Sequence, residues 1–264
     1  MSDIKVEQVG YVFVISINRP EKKNAFTLHV LEEIVELLKA LRKDKACRVV
    51  VLTGQGDAFC SGVDLSVVTQ MKAENASAPH DWKALLMDHV HEIALTLDDF
   101  DKPVIAAVNG PAIGAGMDLA LMCDMRFLGA SSTLCEAYIN LGVVPGDGGC
   151  FYLPRLVGPA KALELLLSGR VVGANEAREL GLANQVFPDD ELLEQTLEFA
   201  HGLAEKSPVA LRMIKRATYQ SLRCDLRTSL DLISSHMGVV QSLSDTREAG
   251  RARAEGDTPR FEER

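Results

Sequence analysis

The sequence predicts a mixed α/β core followed by an all-helical C-terminal region. Two observations carry that reading. Up to Gly158, short apolar runs of strand character alternate with segments of helical apolar spacing, the pattern of strands paired in parallel through crossovers. Beyond Gly158 the pattern is wholly helical.

Ile4 to Ile17 reads as two strands meeting at Gly10, and Asn18 to Thr27 as a turn-rich loop. Leu28 to Arg42 puts Leu31, Ile34, Val35, Leu38 and Leu41 on one helical face. Arg48 to Thr53 is a continuous apolar run, as expected of a buried strand. Asp64 to Ala73 is read as a helix, Glu74 to Asp81 as a loop, and Trp82 to Phe100 as a helix leading into a strand over Pro103 to Val108. Further helices are expected over Pro159 to Ser168, Ala174 to Leu180, Asp190 to Lys206, Pro208 to Leu222 and Leu226 to Leu243. A tail with Arg251, Arg253 and Arg260 follows.

The chain has 264 residues, 47% hydrophobic and 25% charged, which suits a soluble protein with a sizeable core. A formal net charge of −9 argues against nonspecific nucleic-acid binding and against a basic membrane-facing surface. The first residues lack a signal-peptide apolar core and no run reaches transmembrane length, so a cytoplasmic protein is expected. The six cysteines form no CxxC pair and no Cys/His metal spacing, and read as small, mostly apolar-site residues. The six histidines likewise form no metal spacing. There is no GxGxxG or Walker loop, and no metal, nicotinamide or flavin is expected.

Two strand–glycine–helix junctions carry the chemistry. The strand ending at Val108 runs into NGPAIGAGMDLALMCD, Asn109 to Asp124, where Gly114, Ala115 and Gly116 open a helix with Asp118 in its first turn. The strand ending at Thr53 runs into a loop with Gly62 just before Asp64. Glycine lets backbone approach a ligand closely, and the first amides of a helix lack intrahelical partners. Two such junctions in one domain can place two backbone donors on one carbonyl oxygen, the requirement for stabilising an enolate or tetrahedral oxyanion.

Five segments occur in order: Asn18 to Ala25 (NRPEKKNA), Ala58 to Leu65 (AFCSGVDL), Gly110 to Asp118 (GPAIGAGMD), Leu141 to Gly149 (LGVVPGDGG) and Gly173 to Ala183 (GANEARELGLA). Together they resemble the enoyl-CoA hydratase/isomerase, or crotonase, superfamily, across nearly the whole chain. The resemblance implies a spiral of ββα units over residues 1–200, with a helical trimerisation region over residues 201–264. It implies an acyl-CoA thioester as substrate, a homotrimer or dimer of trimers, and no cofactor beyond the CoA of the substrate. By motif position the amides of Val63 and Ala115 form the oxyanion hole. Lys22, Ala25, Ala58, Cys60, Gly62, Asp64, Leu65, Gly114 and Gly116 fall in the segments that bind the thioester. Lys22 and Lys23 are candidates to meet CoA phosphates, and the tail arginines to reach CoA across a subunit boundary.

The acid/base groups depart from the family pattern. Hydratases of the family resemble one another in using two glutamates; the first position is filled here by Asp118 and the second by Tyr138. Two further acids lie near the second position. Glu136 shares a face with Tyr138 if that stretch is extended, and reads otherwise as a solvated or salt-bridged acid. Asp147 reads as a helix N-cap or as a pocket carboxylate, since related dienoyl-CoA isomerases resemble this chain in carrying an aspartate one position earlier in the loop. Tyr138 reads as a packed ring or as a group that orients water or substrate; an ordinary phenol is a poor base at neutral pH. Water addition and double-bond shift both remain open. So do hydrolysis on the same oxyanion hole and a catalytically silent acyl-CoA-binding protein.

Overall fold

The computed structural model describes residues 2–64, 66 and 79–262. The expected helix after Asp64 and most of the expected Glu74–Asp81 loop lie outside the described residues, as does Leu65.

A six-stranded sheet forms the centre, in the order β1-β2-β3-β4-β6-β9. Strands β1 (Ile4–Val9) and β2 (Val12–Ile17) make an antiparallel hairpin turning at Gly10, as the sequence predicts. Strands β3 (Val49–Gly54), β4 (Val104–Val108), β6 (Met125–Gly129) and β9 (Gln185–Phe187) continue it in parallel. Every residue of β2, β3 and β4 is buried, which is why these strands read as unbroken apolar runs rather than alternating ones. A second, three-stranded sheet is built from β5 (Ala112–Ile113), β7 (Thr133–Cys135) and β8 (Val172–Gly173) in the order β5-β7-β8.

Helix α1 (Leu28–Lys43) starts at an N-cap, Thr27, whose side chain accepts from the Val30 amide at 3.2 Å. It buries the predicted apolar face, with Val30 added. The expected Trp82–Phe100 helix is three contiguous pieces: α2 (Pro79–Leu85), a π-helical turn (Leu86–Val90) and α3 (His91–Asp99). Helix α4 (Ala115–Met122) is buried at all eight residues.

The region beyond Gly158 is not wholly helical. Helices α5 (Gly149–Val157), α6 (Pro159–Ser168) and α7 (Ala174–Glu179) are joined by β8, and β9 then adds an edge to the main sheet. These strands have two and three residues, too short to show a period of two. Helix α8 (Leu192–Ala204) runs across residue 200 and lies against β2, β3, β4, β6 and β9. Its Leu192, Ala200 and Ala204 close a second core with Val12, Val51, Ile105 and Phe127 on that face of the sheet.

Helices α9 (Pro208–Ser221) and α10 (Leu226–Ser242) follow as predicted, with Ser207 and Asp225 as side-chain caps. Asp124 ties α9 to the core: it takes Lys215 Nζ at 2.7 Å, the Tyr219 hydroxyl at 2.8 Å and the Val104 amide at 2.7 Å. The expected tail is instead largely a twelve-residue helix, α11, spanning Ser244–Glu255. Arg251 pairs there with Glu248, Glu255 and Asp257 of its own chain. These exposed pairs add a little helix stability, and buried Asp245, which accepts from the Ser207 hydroxyl at 2.7 Å, anchors the helix to the chain before it.

Candidate active site

The site forms where the C-terminal ends of two adjacent parallel strands, β3 and β4, release their loops, the usual ligand position in open parallel sheets. The loops are welded together by backbone. Cys60 pairs with Ala112 across a parallel bridge, the Ile113 amide donating to the Cys60 carbonyl at 2.9 Å. A Cβ on Gly116 would collide with the Cys60 carbonyl, and one on Gly110 with that of Asp57. Asn109 donates to the Gly56 carbonyl at 2.9 Å and accepts from the Gly54 amide at 3.1 Å.

This weld brings the two glycine junctions into contact. A Cβ on Gly62 would lie 2.8 Å from the Ile113 carbonyl oxygen and 3.6 Å from the Ala115 nitrogen. Gly62 and Gly114 both have positive φ, 93° and 54°, so only glycine turns the chain there without strain. The Phe26 amide donates to the Gly62 carbonyl and the Asp64 amide to the Phe26 carbonyl, both at 2.8 Å, which leaves the Val63 amide facing away from Phe26. Among the described residues neither the Val63 nor the Ala115 amide donates to a backbone or side-chain acceptor. The two are free donors at neighbouring points, and Ala115 heads a helix whose dipole adds positive potential.

The remaining thioester-segment residues serve that geometry in different ways. Ala25 and Ala58 are buried, and their carbonyls accept from Arg19 at 2.5 Å and Asn24 at 2.7 Å. Asn24 is a structural residue that sequence reasoning missed: fully buried at φ 57°, it binds the Gln55 and Ala58 carbonyls and the Arg19 amide. Asp64 accepts from Arg19 at 3.1 Å and from the Ser66 amide and hydroxyl, which together hold its carboxyl down at about 2. Cys60 is fully buried beside the Gly62 amide, and burial pushes its thiol up to about 12, so it is an inert wall rather than a nucleophile. Lys22 is exposed, and Lys23 pairs with Asp57 at 2.5 Å.

Beside the free amides lies a cluster of three carboxyls and a phenol. Tyr138 stands on a 3-10 turn (Ala137–Leu141), and the edge of its ring covers Gly114: a Cβ there would lie 3.8 Å from Tyr138 Cε2 and Cζ. Its hydroxyl oxygen is 2.6 Å from Asp118 Oδ2 and 2.5 Å from Asp147 Oδ2. Asp147 is not an N-cap, because α5 starts after Gly148 with no side-chain cap. Glu136 is not a solvated acid either: it is 2% exposed, between β7 and the 3-10 turn, and crowds Asp118 around Gly149. A Cβ on Gly149 would collide with Asp118 Oδ1 and come within 2.8 and 3.1 Å of the two Glu136 oxygens.

Burial dominates the electrostatics. It raises Asp118 to about 7, opposed by the Tyr138 hydroxyl and reinforced by the Asp147 charge. It raises Asp147 too, against the Tyr138 hydroxyl and His91. Burial beside Asp118 lifts Glu136 to about 10, and the same surroundings push the Tyr138 phenol far above its ordinary value. A hydroxyl has one proton and cannot donate to two carboxylates at once. One of Asp118 and Asp147 must therefore hold a proton and donate it to the phenolic oxygen. Burial raises both carboxyls, and Asp118 is the more deeply buried of the two.

His91 joins the site from α3, its Nε2 3.0 Å from the Gly146 carbonyl, next to Asp147. The spacing of His89 and His91 gives no sign of this, since the contact is with a loop 55 residues away.

Two backbone donors without a protein acceptor, beside a buried cluster of acids and a phenol, are groups that can hold an oxyanion and move protons next to it. The chain belongs to the enoyl-CoA hydratase/isomerase family, whose model matches residues 7–264. It is 35% identical over 264 residues to 2,3-dehydroadipyl-CoA hydratase of Escherichia coli, covering 100% of both chains. It is 32% identical to short-chain-enoyl-CoA hydratase of Clostridium acetobutylicum, covering 94% of this chain and 93% of the other. Among solved structures, an enoyl-CoA hydratase from Bacillus anthracis superposes with a TM-score of 0.94 at 33% identity, over 100% of both chains. The crotonase-type fold expected from the sequence is thus shown.

Proposed function

We propose that the protein adds water across the C2–C3 double bond of an enoyl-CoA thioester. The observation that carries this reading is the Tyr138 hydroxyl set between Asp118 and Asp147, beside the free Val63 and Ala115 amides. The thioester carbonyl accepts from both amides, which hold the negative charge that develops as C3 is attacked; each such donor is worth roughly 3 kcal/mol of barrier. Asp147 takes a proton from water as its oxygen bonds to C3. C2 receives a proton through the Tyr138 hydroxyl, which is refilled from Asp118. Tyr138 stays a phenol throughout, because its surroundings oppose the phenolate. The small side chain of Ala115 leaves the hole open.

A double-bond shift is the second reading, favoured by the same continuous Asp147–Tyr138–Asp118 chain, which can carry a proton from C4 to C2 without release to water. Incubation with crotonyl-CoA and with a 3-enoyl-CoA in ¹⁸O-water tests both. Loss of enoyl absorbance with ¹⁸O in a 3-hydroxyacyl product supports hydration; a 2-enoyl product without ¹⁸O supports the shift; no turnover of either overturns both. Free crotonate is expected to bind far more weakly than crotonyl-CoA by calorimetry.

We also propose self-association into trimers or a dimer of trimers. What supports it is the apolar face of α10, where Leu226, Leu230, Ile233 and Met237 are all exposed on the chain alone. A monomeric mass by light scattering at micromolar concentration would contradict it. Among the described residues no helix is long and apolar enough to cross a membrane, in keeping with a cytoplasmic enzyme.

A further inference from the structure

Glu136 is the buried acid that the water-addition scheme leaves unused. Both of its carboxyl oxygens, and Oδ1 of Asp118 beside them, are buried with no donor in good hydrogen-bond geometry, the Gly149 amide giving the Asp118 carboxyl only a weak polar contact. An ionised Glu136 would leave three buried acceptors facing one another, two of them on a charge with no cation. A proton on Glu136 changes this. The acid becomes a donor, and Asp118 Oδ1, within its reach around Gly149, is the acceptor. Gly149 leaves the space for the pair, since a Cβ there would strike Asp118.

We propose that Glu136 is a positioning residue, a permanently neutral carboxylic acid that donates to Oδ1 of Asp118. This rests on the functional reading above and extends it. Asp118 then has both oxygens engaged, Oδ1 by Glu136 and Oδ2 by Tyr138, and its proton has one exit, through the phenol. The donated bond also stabilises the Asp118 carboxylate that forms after each proton delivery. The groups facing Glu136 agree with neutrality. They are Asp118 on α4, Asp147 on its loop, and the Cys135 and Cys150 thiols on β7 and α5. His91, on α3, faces Asp147 rather than Glu136. Burial beside these acids holds the Glu136 carboxyl well above the ordinary range.

The test compares Glu136→Gln, which keeps a neutral donor, with Glu136→Leu, which removes it. Each is first checked by thermal melting. With crotonyl-CoA, the Gln variant is expected to keep kcat within about threefold and to leave the alkaline limb of the pH profile in place. The Leu variant is expected to move that limb up by about one pH unit, the size of a lost hydrogen bond to a charged group, with KM little changed. A Gln variant as impaired as the Leu variant, or a Leu variant with the wild-type profile, overturns the proposal. A second readout does not depend on turnover. In infrared difference spectra of the holo-length chain carrying ¹³C-labelled glutamate, a protonated-carboxyl C=O band should persist at pH 8 and vanish in Glu136→Gln. Absence of that band in the wild type overturns the proposal whatever the enzyme's substrate. Its presence in a protein that turns over no enoyl-CoA would instead place the failure in the functional reading.

Discussion

The phenolic oxygen of Tyr138 lies 2.6 Å from Oδ2 of Asp118, a carboxyl with no exposed surface in the first turn of the helix that also supplies the Ala115 amide. One helix thereby fixes both groups, the acid and the oxyanion donor of the proposed scheme, three residues apart. Tyr138 occupies the position where the family pattern has a second glutamate. Asp147, nine residues on, meets the same hydroxyl at 2.5 Å.

Asp118→Asn and Asp147→Asn should each lower kcat by roughly 100-fold or more, the scale of a lost general acid or base, while crotonyl-CoA binding is kept. Because Gly148 and not Asp147 precedes α5, the Asp147 variant removes no helix cap and should melt close to the wild type. Steady-state kinetics with calorimetric binding checks both. An Asp147→Asn enzyme of full activity would leave Asp118 and Tyr138 acting without it.

The pH profile should be a bell belonging to the coupled pair. On the acid side activity falls as Asp147 takes up a proton, at a pH above the ordinary carboxylate value because burial raises it. On the alkaline side it falls as the shared proton leaves Asp118, which burial places at about 7. The sign follows from which form works: Asp147 must be ionised and Asp118 protonated. In Asp118→Asn the residual activity should lose its alkaline limb near pH 7. A profile that rises steadily through pH 7 to 9 would reverse the two roles.

Gly149→Ala separates local propensity from packing. Alanine in the first turn of a helix ordinarily gains up to about 1 kcal/mol over glycine. Here the added methyl meets Asp118 Oδ1 and both Glu136 oxygens, and overcrowding of a tight site costs about 1–3 kcal/mol. The variant should therefore melt lower than the wild type and lose turnover. A higher melting temperature with full activity would show that the carboxyl pair has room to spare.

Much of this site was legible in the sequence because backbone demands particular residues. Gly62, Gly114 and Gly116 are fixed by positive φ or by close approach, and they announce the two free amides without any side-chain chemistry. Asp118 and Tyr138 stood out at the positions where the family pattern has acids. The role of Asp147 stayed open, because an aspartate before a helix fits a cap equally well and only the fold shows Gly148 in that place. The burial of Glu136 depends on α5 folding over it, a contact that no local pattern records. Strand β9 escaped notice for its length, and α11 because it carries no apolar face and buries only Asp245 and Ala252.

In the proposed scheme one phenol joins two acids into a single proton path, and Tyr138→Phe tests that path most directly. The substitution keeps the ring over Gly114 and removes only the oxygen that touches Asp118 and Asp147. The expected result is a fall in kcat for crotonyl-CoA of roughly 100-fold, the range of lost acid–base catalysis, with KM nearly unchanged because the Val63 and Ala115 donors are intact. A Tyr138→Phe enzyme that turns over at the wild-type rate would contradict it.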